Sequence, residues 1–124
     1  MDRTFTNELY KWKKSKDRKP LLLKGVRQSG KTYLLKEFGK KAYADFAYFN
    51  FEGNEPLQKC FDRDLDPKRI ISELGVFNRR AIKPGETLVI FDEIQFCNRA
   101  LTALKYFHED APQYHIACAG SLLG

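Results

Sequence analysis

Short apolar runs alternate with amphipathic segments along the chain, and the two patterns predict different elements. Four runs rich in aliphatic or aromatic residues are typical of buried strands, and they cover residues 21–23, 46–51, 88–91 and 114–119. Helical spacing of apolar residues predicts a first helix over residues 5–14 and later helices over 31–38, from Asp66 onward, and over 98–109. Strands that alternate with helices predict an α/β fold with a mostly parallel sheet.

Single residues mark several of the predicted helix ends. Gly39 is expected to close the helix over residues 31–38, because glycine is favoured just after a helix. Asp66 is expected to cap the next long helix, with Pro67 in its first turn, and Asn98 to cap the last one. Residues 54–67 are mostly polar and are predicted to form a loop.

Polar residues stand at or just after the carboxyl end of each predicted strand. The segment GVRQSGKT (residues 25–32) follows the first strand, Asn50 lies near the end of the second, Asp92 and Glu93 end the third, and Ser121 follows the fourth. Ligands of open parallel sheets bind at the carboxyl ends of the strands. The four features are therefore expected to form one site.

The segment GVRQSGKT matches the pattern GxxxxGK[ST] (Walker A) between a predicted strand and a predicted helix. Its glycines let the backbone turn and approach a phosphate, Lys31 suits the β- and γ-phosphate oxygens, and Thr32 suits Mg²⁺. The alternative is a glycine turn before a surface helix. The predicted nucleotide contacts are Gly25, Gln28, Ser29, Gly30, Lys31, Thr32 and Tyr33.

The segment TLVIFDEIQ (residues 87–95) ends an apolar run in two carboxylates, as a Walker B strand does. Asp92 is predicted to hold Mg²⁺ directly or through water, and Glu93 to polarise the attacking water. Ser121 is predicted to hydrogen-bond the γ-phosphate or that water, and Asn50 to hold Glu93 in an inactive rotamer until a partner binds. In the alternative interpretation, Asp92 and Glu93 are solvated acids, Ser121 is a serine in a turn and Asn50 is a loop amide. The predicted catalytic set is Glu93, Lys31, Ser121 and Asn50.

Bulk composition narrows the class of protein. The chain has 124 residues, of which 43% are hydrophobic and 31% charged, as in a single globular domain. Its apolar runs are shorter than the roughly 18 residues that a membrane helix needs, and its N-terminus lacks the apolar core of a signal peptide. We therefore expect a cytoplasmic protein with no membrane partner. The three cysteines form no CxxC pair and are expected to be buried, reduced thiols.

The net charge of +6 is concentrated in the first third of the chain, where residues 1–41 hold 13 Lys/Arg and 4 Asp/Glu. The run KWKKSKDRK (residues 11–19) places a tryptophan among cations, a pattern that suits nucleic acid. A solvated face beside a phosphate site is the alternative explanation. A nucleic-acid-binding motor or module is therefore the second hypothesis for function, and a protein with no nucleotide role is the third.

Almost the whole chain resembles the N-terminal ATPase region of a prokaryotic AAA-type family whose members carry a C-terminal domain of largely unknown function. The resembling stretches are LYKWKKSKDRKPLLLKGVRQSGKTYLLKEFG, FNFE and PGETLVIFDEIQFCNRALTALKYFHEDAPQYHIACAGSLLG. The resemblance implies a three-layer αβα P-loop NTPase core that binds ATP, rather than GTP, with Mg²⁺. It aligns Gly30, Lys31 and Thr32 with the family's phosphate loop, Asp92 and Glu93 with its acidic strand end, and Ser121 with its polar sensor position.

Three departures from the family are visible. Tyr33 stands where the family more usually has a small hydroxyl residue, and Asn98 stands where it more usually has proline. Neither change removes a residue expected to bind the nucleotide or the metal. The family's sheet has the order 5-1-4-3-2, whereas this sequence ends at Gly124, after the fourth core strand. We therefore expect a partial AAA-type ATPase domain, truncated after that strand, with an N-terminal helix and basic linker over 1–19 and the P-loop core over 20–124.

The missing fifth strand and arginine finger lead to two further expectations. The first strand becomes an exposed edge, and such edges favour pairing with another chain, so self-association is expected there. ATP turnover by the 124-residue chain is expected to be slow or absent, because a cationic finger normally stabilises the transition state.

Overall fold

A sheet of parallel strands forms the centre of the structure, a computed structural model that describes residues 3–25 and 30–121. The strands are β1 (Leu21–Lys24), β2 (Asp45–Asn50), β3 (Thr87–Asp92) and β4 (His115–Gly120). The helices are α1 (Arg3–Lys14), α2 (Lys31–Ala42), α3 (Glu55–Lys59), α4 (Pro67–Asn78) and α5 (Asn98–Asp110), with a short 3₁₀ turn at Ile94–Phe96.

The strand order in the sheet is β1-β4-β3-β2, and every neighbouring pair is parallel. Strands β3 and β4 lie in the middle and are buried along their length except for the last residue, which explains their continuous apolar sequences. Strand β1 lies at one side of the sheet and alternates between partly buried and exposed residues, with Leu22 37% exposed. The predicted α/β fold with a parallel sheet is confirmed.

Two hydrophobic clusters pack on opposite faces of the sheet and complete the three layers. Along β3, Leu88 and Ile90 enter one cluster whereas Val89 and Phe91 enter the other, because successive strand residues face opposite sides. Helices α1 and α2 cover the first face with side chains such as Leu35. Helices α3, α4 and α5 cover the second face, so the sheet is enclosed by helices as the αβα prediction requires.

Gly39 does not end α2, contrary to the sequence prediction. The helix continues to Ala42, and Gly39 is buried within it. A Cβ built on Gly39 would lie 2.8 Å from the Cβ of Phe46 on β2. The glycine is therefore explained by the close approach of helix and strand, not by a change in backbone direction.

Two other local predictions at helix starts gave different outcomes. The Asp66 side chain accepts a hydrogen bond from the Lys68 amide at 3.3 Å and Pro67 begins α4, as predicted. Asn98 was predicted to cap α5 but is its first helical residue, and Cys97 occupies the capping position without a side-chain hydrogen bond. The cap prediction is therefore wrong by one position.

The segment predicted as a loop over residues 54–67 contains the short helix α3. The Asn54 side chain caps this helix by accepting a hydrogen bond from the Leu57 amide at 3.2 Å, and Pro56 lies in its first turn. Leu57 is the residue that α3 buries in the core, with 1% of its surface exposed. One apolar residue gives too little periodicity for a helix to be recognised from sequence.

The state of the cysteines agrees with the sequence prediction. The thiols of Cys60, Cys97 and Cys118 are free and buried, as predicted. In the described ranges, 3–25 and 30–121, no helix combines the length and the apolar character needed to cross a membrane.

Candidate functional site

The register of the sheet brings the ends of all four strands into one row. Asn50 on β2 pairs with Asp92 on β3, and Asp92 pairs with Ala119 on β4. Beyond the last β1–β4 pair, the Gly25 amide donates to the Gly120 carbonyl at 3.3 Å. One end of the sheet therefore holds the start of the segment GVRQSGKT, the acidic pair after β3 and the residue before Ser121, as predicted.

Both glycines of the segment GVRQSGKT lie in the described residues, and the second of them has a conformation that favours glycine. Gly30 adopts φ 86°, in the left-handed region that other residues avoid. A Cβ built on Gly25 would lie 2.8 Å from Cε of Lys31, so the lysine chain runs directly across the Gly25 backbone. The predicted contacts Gln28 and Ser29 lie outside the described residues.

Helix α2 begins at Lys31, immediately after Gly30, and the Lys31 side chain lies beside Gly25 at the end of β1. The first amides of a helix have no intrahelical acceptor and carry a partial positive charge. The first turn of α2 contains no acidic residue, and Lys31 adds a full positive charge. Thr32 is partly buried there and Tyr33 is 64% exposed. This helix start is therefore suited to bind an anion.

Both carboxylate oxygens of Asp92 are hydrogen-bonded. Oδ1 accepts from the Glu93 amide at 2.9 Å, and Oδ2 accepts from the Tyr48 hydroxyl at 2.5 Å. Each carboxylate oxygen has further lone pairs, so these contacts leave acceptor capacity for a cation or its water. Together with the Thr32 hydroxyl, Asp92 offers the hard oxygen donors that Mg²⁺ prefers, and the residues fit that ion.

Tyr48 contacts the acidic end of β3 and was not predicted as a site residue. Burial and the hydrogen bond to Asp92 raise the pKa of Tyr48 above its usual value, so the phenol keeps its proton and acts as a donor. The Lys36 ammonium lies 3.8 Å from the centre of the Tyr48 ring. Strand alternation could have identified Tyr48, because it lies two residues before Asn50 and shares its face of β2.

Glu93 is held in a strained conformation at the end of β3. Its φ of 53° lies in the left-handed region, one of two such non-glycine positions in the described residues. Its Oε1 accepts a hydrogen bond from Nε2 of Gln95 at 2.9 Å, and the same nitrogen donates to Oγ of Ser121 at 3.2 Å. Gln95 thus joins two predicted catalytic residues, although the sequence offered no signal for this role beyond its place two residues after Glu93.

Asn50 lies beside the acidic pair, as its register position requires. Its Oδ1 accepts a hydrogen bond from the Glu52 amide at 2.9 Å, which forms a local turn after β2. The role of Asn50 in holding Glu93 inactive stays a prediction.

Part of the basic run over residues 11–19 is attached to the folded core. The Trp12 indole donates to the Lys19 carbonyl at 2.6 Å and packs edge-on against the His115 ring. The Lys13 ammonium donates to the Ala42 carbonyl at 2.6 Å and lies 4.6 Å from the centre of the Tyr43 ring. The tryptophan therefore serves the fold, and the nucleic-acid hypothesis stays a prediction that these contacts do not favour.

Comparison with known proteins agrees with the geometry of the strand ends. A family model described as an AAA domain matches residues 17–124, a range that contains the four strands of the described residues and every predicted site residue. No curated protein matches the chain. The matched family is one of nucleotide-binding, ATPase-type modules. The chain therefore belongs to the AAA domain family.

Proposed function

We propose that the chain binds ATP and, with Mg²⁺, hydrolyses it to ADP and phosphate. The observation that carries this proposal is the sheet register, which aligns Asn50, Asp92 and Ala119 in one row and adds the Gly25–Gly120 pair beside it. An anion-binding helix start, oxygen donors for a cation and a carboxylate base are thereby available at one place. These are the groups that phosphoryl transfer to water requires.

The triphosphate is proposed to bind at the start of α2. Backbone amides of the loop and of the first helical turn surround the phosphates, and the Lys31 ammonium contacts the β- and γ-phosphate oxygens. The close passage of Lys31 over Gly25 supports this role, because it keeps the ammonium on the loop side of the helix. The proposed contacts are Gly25, Gln28, Ser29, Gly30, Lys31, Thr32 and Tyr33.

Thr32 and Asp92 are proposed to hold Mg²⁺, Thr32 through its hydroxyl and Asp92 directly or through water. The bound ion would neutralise charge on the phosphate oxygens. The hydrogen bonds from Tyr48 and from the Glu93 amide fix the Asp92 carboxylate before any ligand arrives. Such preorganisation is expected to strengthen binding of the ion.

Glu93 is proposed to be the general base. It accepts a proton from the water that attacks the γ-phosphorus, and the bond between that phosphorus and the bridging oxygen breaks to release ADP. Lys31 stabilises the charge that develops on the phosphate oxygens, and Ser121 donates a hydrogen bond to the γ-phosphate or the water. Asn50 is proposed to restrain Glu93 until a partner binds.

The nucleotide preference and the rate of the reaction are proposed as follows. The preference for ATP over GTP follows the resemblance to the AAA-type ATPases. Turnover of ATP by the chain alone is proposed to be slow, and a cation from another protein segment is proposed to raise the rate.

Self-association is proposed as well. Copies of the chain are proposed to associate through the exposed side of β1 near Leu22.

The test separates nucleotide binding from hydrolysis with two variants of the whole chain. Lys31→Ala should weaken binding of a fluorescent ATP analogue by at least about 10-fold, because it removes a charged contact to phosphate. Glu93→Gln should keep that binding but lower the rate of phosphate release by about 100-fold or more, because the amide is not a base.

Matched controls lie on the same kinds of element away from the site. Lys40→Ala changes an exposed lysine of α2, and Glu109→Gln an exposed glutamate of α5. Both should bind and turn over ATP like the unmodified chain. Equal nucleotide affinity of the Lys31→Ala and Lys40→Ala variants would contradict the proposed phosphate site.

A further inference from the structure

We infer that Gln95 is a positioning residue that holds the Glu93 carboxylate and the Ser121 hydroxyl in one hydrogen-bonded unit, with the Ser121 proton turned outward to a γ-phosphate oxygen. The inference rests on the proposed function for the identity of that phosphate. The link between the three side chains rests on the ligand-free geometry alone.

One amide group spans the ends of two strands. Nε2 of Gln95 lies 2.9 Å from Oε1 of Glu93, which follows β3, and 3.2 Å from Oγ of Ser121, which follows β4. A carboxamide nitrogen carries two hydrogens, and these two contacts use both. Glu93 and Ser121 are therefore linked through Gln95 although they belong to different strands.

The orientation of the Gln95 amide follows from its neighbours. Exchange of its oxygen and nitrogen would place Oε1 against the Glu93 carboxylate, which has no hydrogen to donate when ionised. The present orientation leaves Oε1 buried and without a hydrogen-bond partner among the described residues. An unsatisfied buried oxygen is unfavourable, so the two contacts of Nε2 determine how the side chain is placed.

This orientation fixes the direction of the hydrogen bonds at Ser121. Gln95 can only donate through Nε2, so Oγ of Ser121 is the acceptor in that pair. The single hydroxyl hydrogen of Ser121 is then directed to a different acceptor. At this end of the sheet, a terminal phosphate oxygen at the start of α2 is an acceptor of suitable charge.

The same link connects occupancy of the site to the position of Glu93. Gln95 lies in the 3₁₀ turn Ile94–Phe96, which is anchored by the fully buried Ile94. A phosphate that accepts from Ser121 polarises the hydroxyl and strengthens the hydrogen bond from Gln95, because chains of hydrogen bonds reinforce one another. The γ-phosphate thereby fixes the orientation of the Gln95 amide, whose second N–H holds the Glu93 carboxylate at the site.

The first arm of the test uses the ligand-free chain and needs no catalysis. The side-chain amide signals of Gln95, assigned by their loss in Gln95→Leu, should shift by NMR in Ser121→Ala and in Glu93→Ala. The matched control Ser72→Ala, an exposed serine of α4, should leave them in place. If Ser121→Ala moves the Gln95 signals no more than Ser72→Ala does, the link does not exist in solution.

The second arm compares binding of Mg²⁺ complexes of ADP and of ATPγS, a slowly hydrolysed ATP analogue. Gln95→Leu should reduce the preference for ATPγS over ADP by about 10-fold while ADP affinity changes less than about twofold, because only the γ-phosphate contact is lost. Ser121→Ala should do the same, and the double variant should add little to either.

The outcomes distinguish this inference from the proposed function. Equal weakening of ADP and ATPγS binding by Gln95→Leu, or full additivity with Ser121→Ala, would mean that Gln95 only supports the fold and would overturn the inference. Failure of the unmodified chain to bind either nucleotide would overturn the proposed function and the phosphate contact together. The NMR arm would still decide whether Gln95 joins Glu93 to Ser121.

Discussion

At the scale of single residues, each of the two carboxylates at the end of β3 accepts a hydrogen bond from a side chain to which the sequence analysis gave no role. Tyr48 donates to Asp92, and Gln95 donates to Glu93. The motif could predict the acids because their chemistry is tied to their position after an apolar strand. It did not assign their donors: Tyr48 shares a strand face with Asn50 and Gln95 follows Glu93 by two residues, but only the folded chain shows that their polar atoms reach the acids.

The Tyr48 contact leads to a prediction about metal affinity. Tyr48→Phe removes only the hydroxyl that donates to Asp92 Oδ2 and should weaken Mg²⁺ binding to the nucleotide complex by about 10-fold, because an ordered ligand becomes free to rotate. Mg²⁺ titration of the fluorescent ATP-analogue complex measures the effect. Tyr106→Phe, on an exposed tyrosine of α5, is the matched control. Tighter Mg²⁺ binding by Tyr48→Phe would instead indicate that the phenol competes with the ion.

At the scale of elements, most strands and helices were predictable because apolar periodicity reports which side of a segment is buried. The start of α4 was predicted from Asp66 and Pro67, whose capping chemistry acts within a few residues. The end of α2 was not predicted correctly, because Gly39 is required by the close approach of Phe46 on β2 and not by a helix end. The sequence alone does not distinguish a glycine that allows close packing from a glycine that ends a helix.

The end of α4 supports a stability prediction. Arg79 follows the helix at φ 57°, its amide donates to the Val76 carbonyl, and the next amide, of Arg80, donates to the Gly75 carbonyl. Glycine is favoured at this position, so Arg79→Gly should stabilise the fold by about 0.5–1 kcal/mol and raise the Tm by a few degrees. Thermal unfolding followed by circular dichroism measures the shift.

Arg79→Ala is the matched control for that experiment. It removes the same charge and side-chain length but keeps the Cβ that makes a left-handed conformation unfavourable. It should not raise the Tm. An equal increase in Arg79→Ala and Arg79→Gly would show that the gain comes from loss of charge, not from relief of backbone strain.

At the scale of the whole molecule, the sheet separates a polar end from a buried aromatic end. The carboxyl ends of the strands hold the candidate site, whereas His115 at the opposite end of β4 packs among Trp12 and Tyr43. Periodicity predicted a parallel sheet but gave no strand order, which came from the resemblance. It also gave no partner for His115, because Trp12 on α1 and Tyr43 after α2 lie far from it in sequence and meet it only in the folded chain.

His115 should make the stability of the whole fold depend on pH. It is 7% exposed, its Nδ1 lies 2.7 Å from the Tyr43 hydroxyl, and burial together with Arg18 and Lys13 lowers its pKa from 6.5 to about 4. Below pH 6.5 the unfolded chain gains a proton that the folded chain takes up only near pH 4, so the free energy of unfolding falls across that window by about 2–3 kcal/mol at most.

His115→Gln keeps a hydrogen-bond acceptor for Tyr43 but cannot titrate, and urea unfolding at several pH values should show a shallower decline. His108→Gln, at a partly exposed histidine, should retain the steeper one. Equal slopes for the unmodified chain and His115→Gln between pH 6.5 and pH 4 would mean that groups other than this buried imidazole govern the acid sensitivity of the fold.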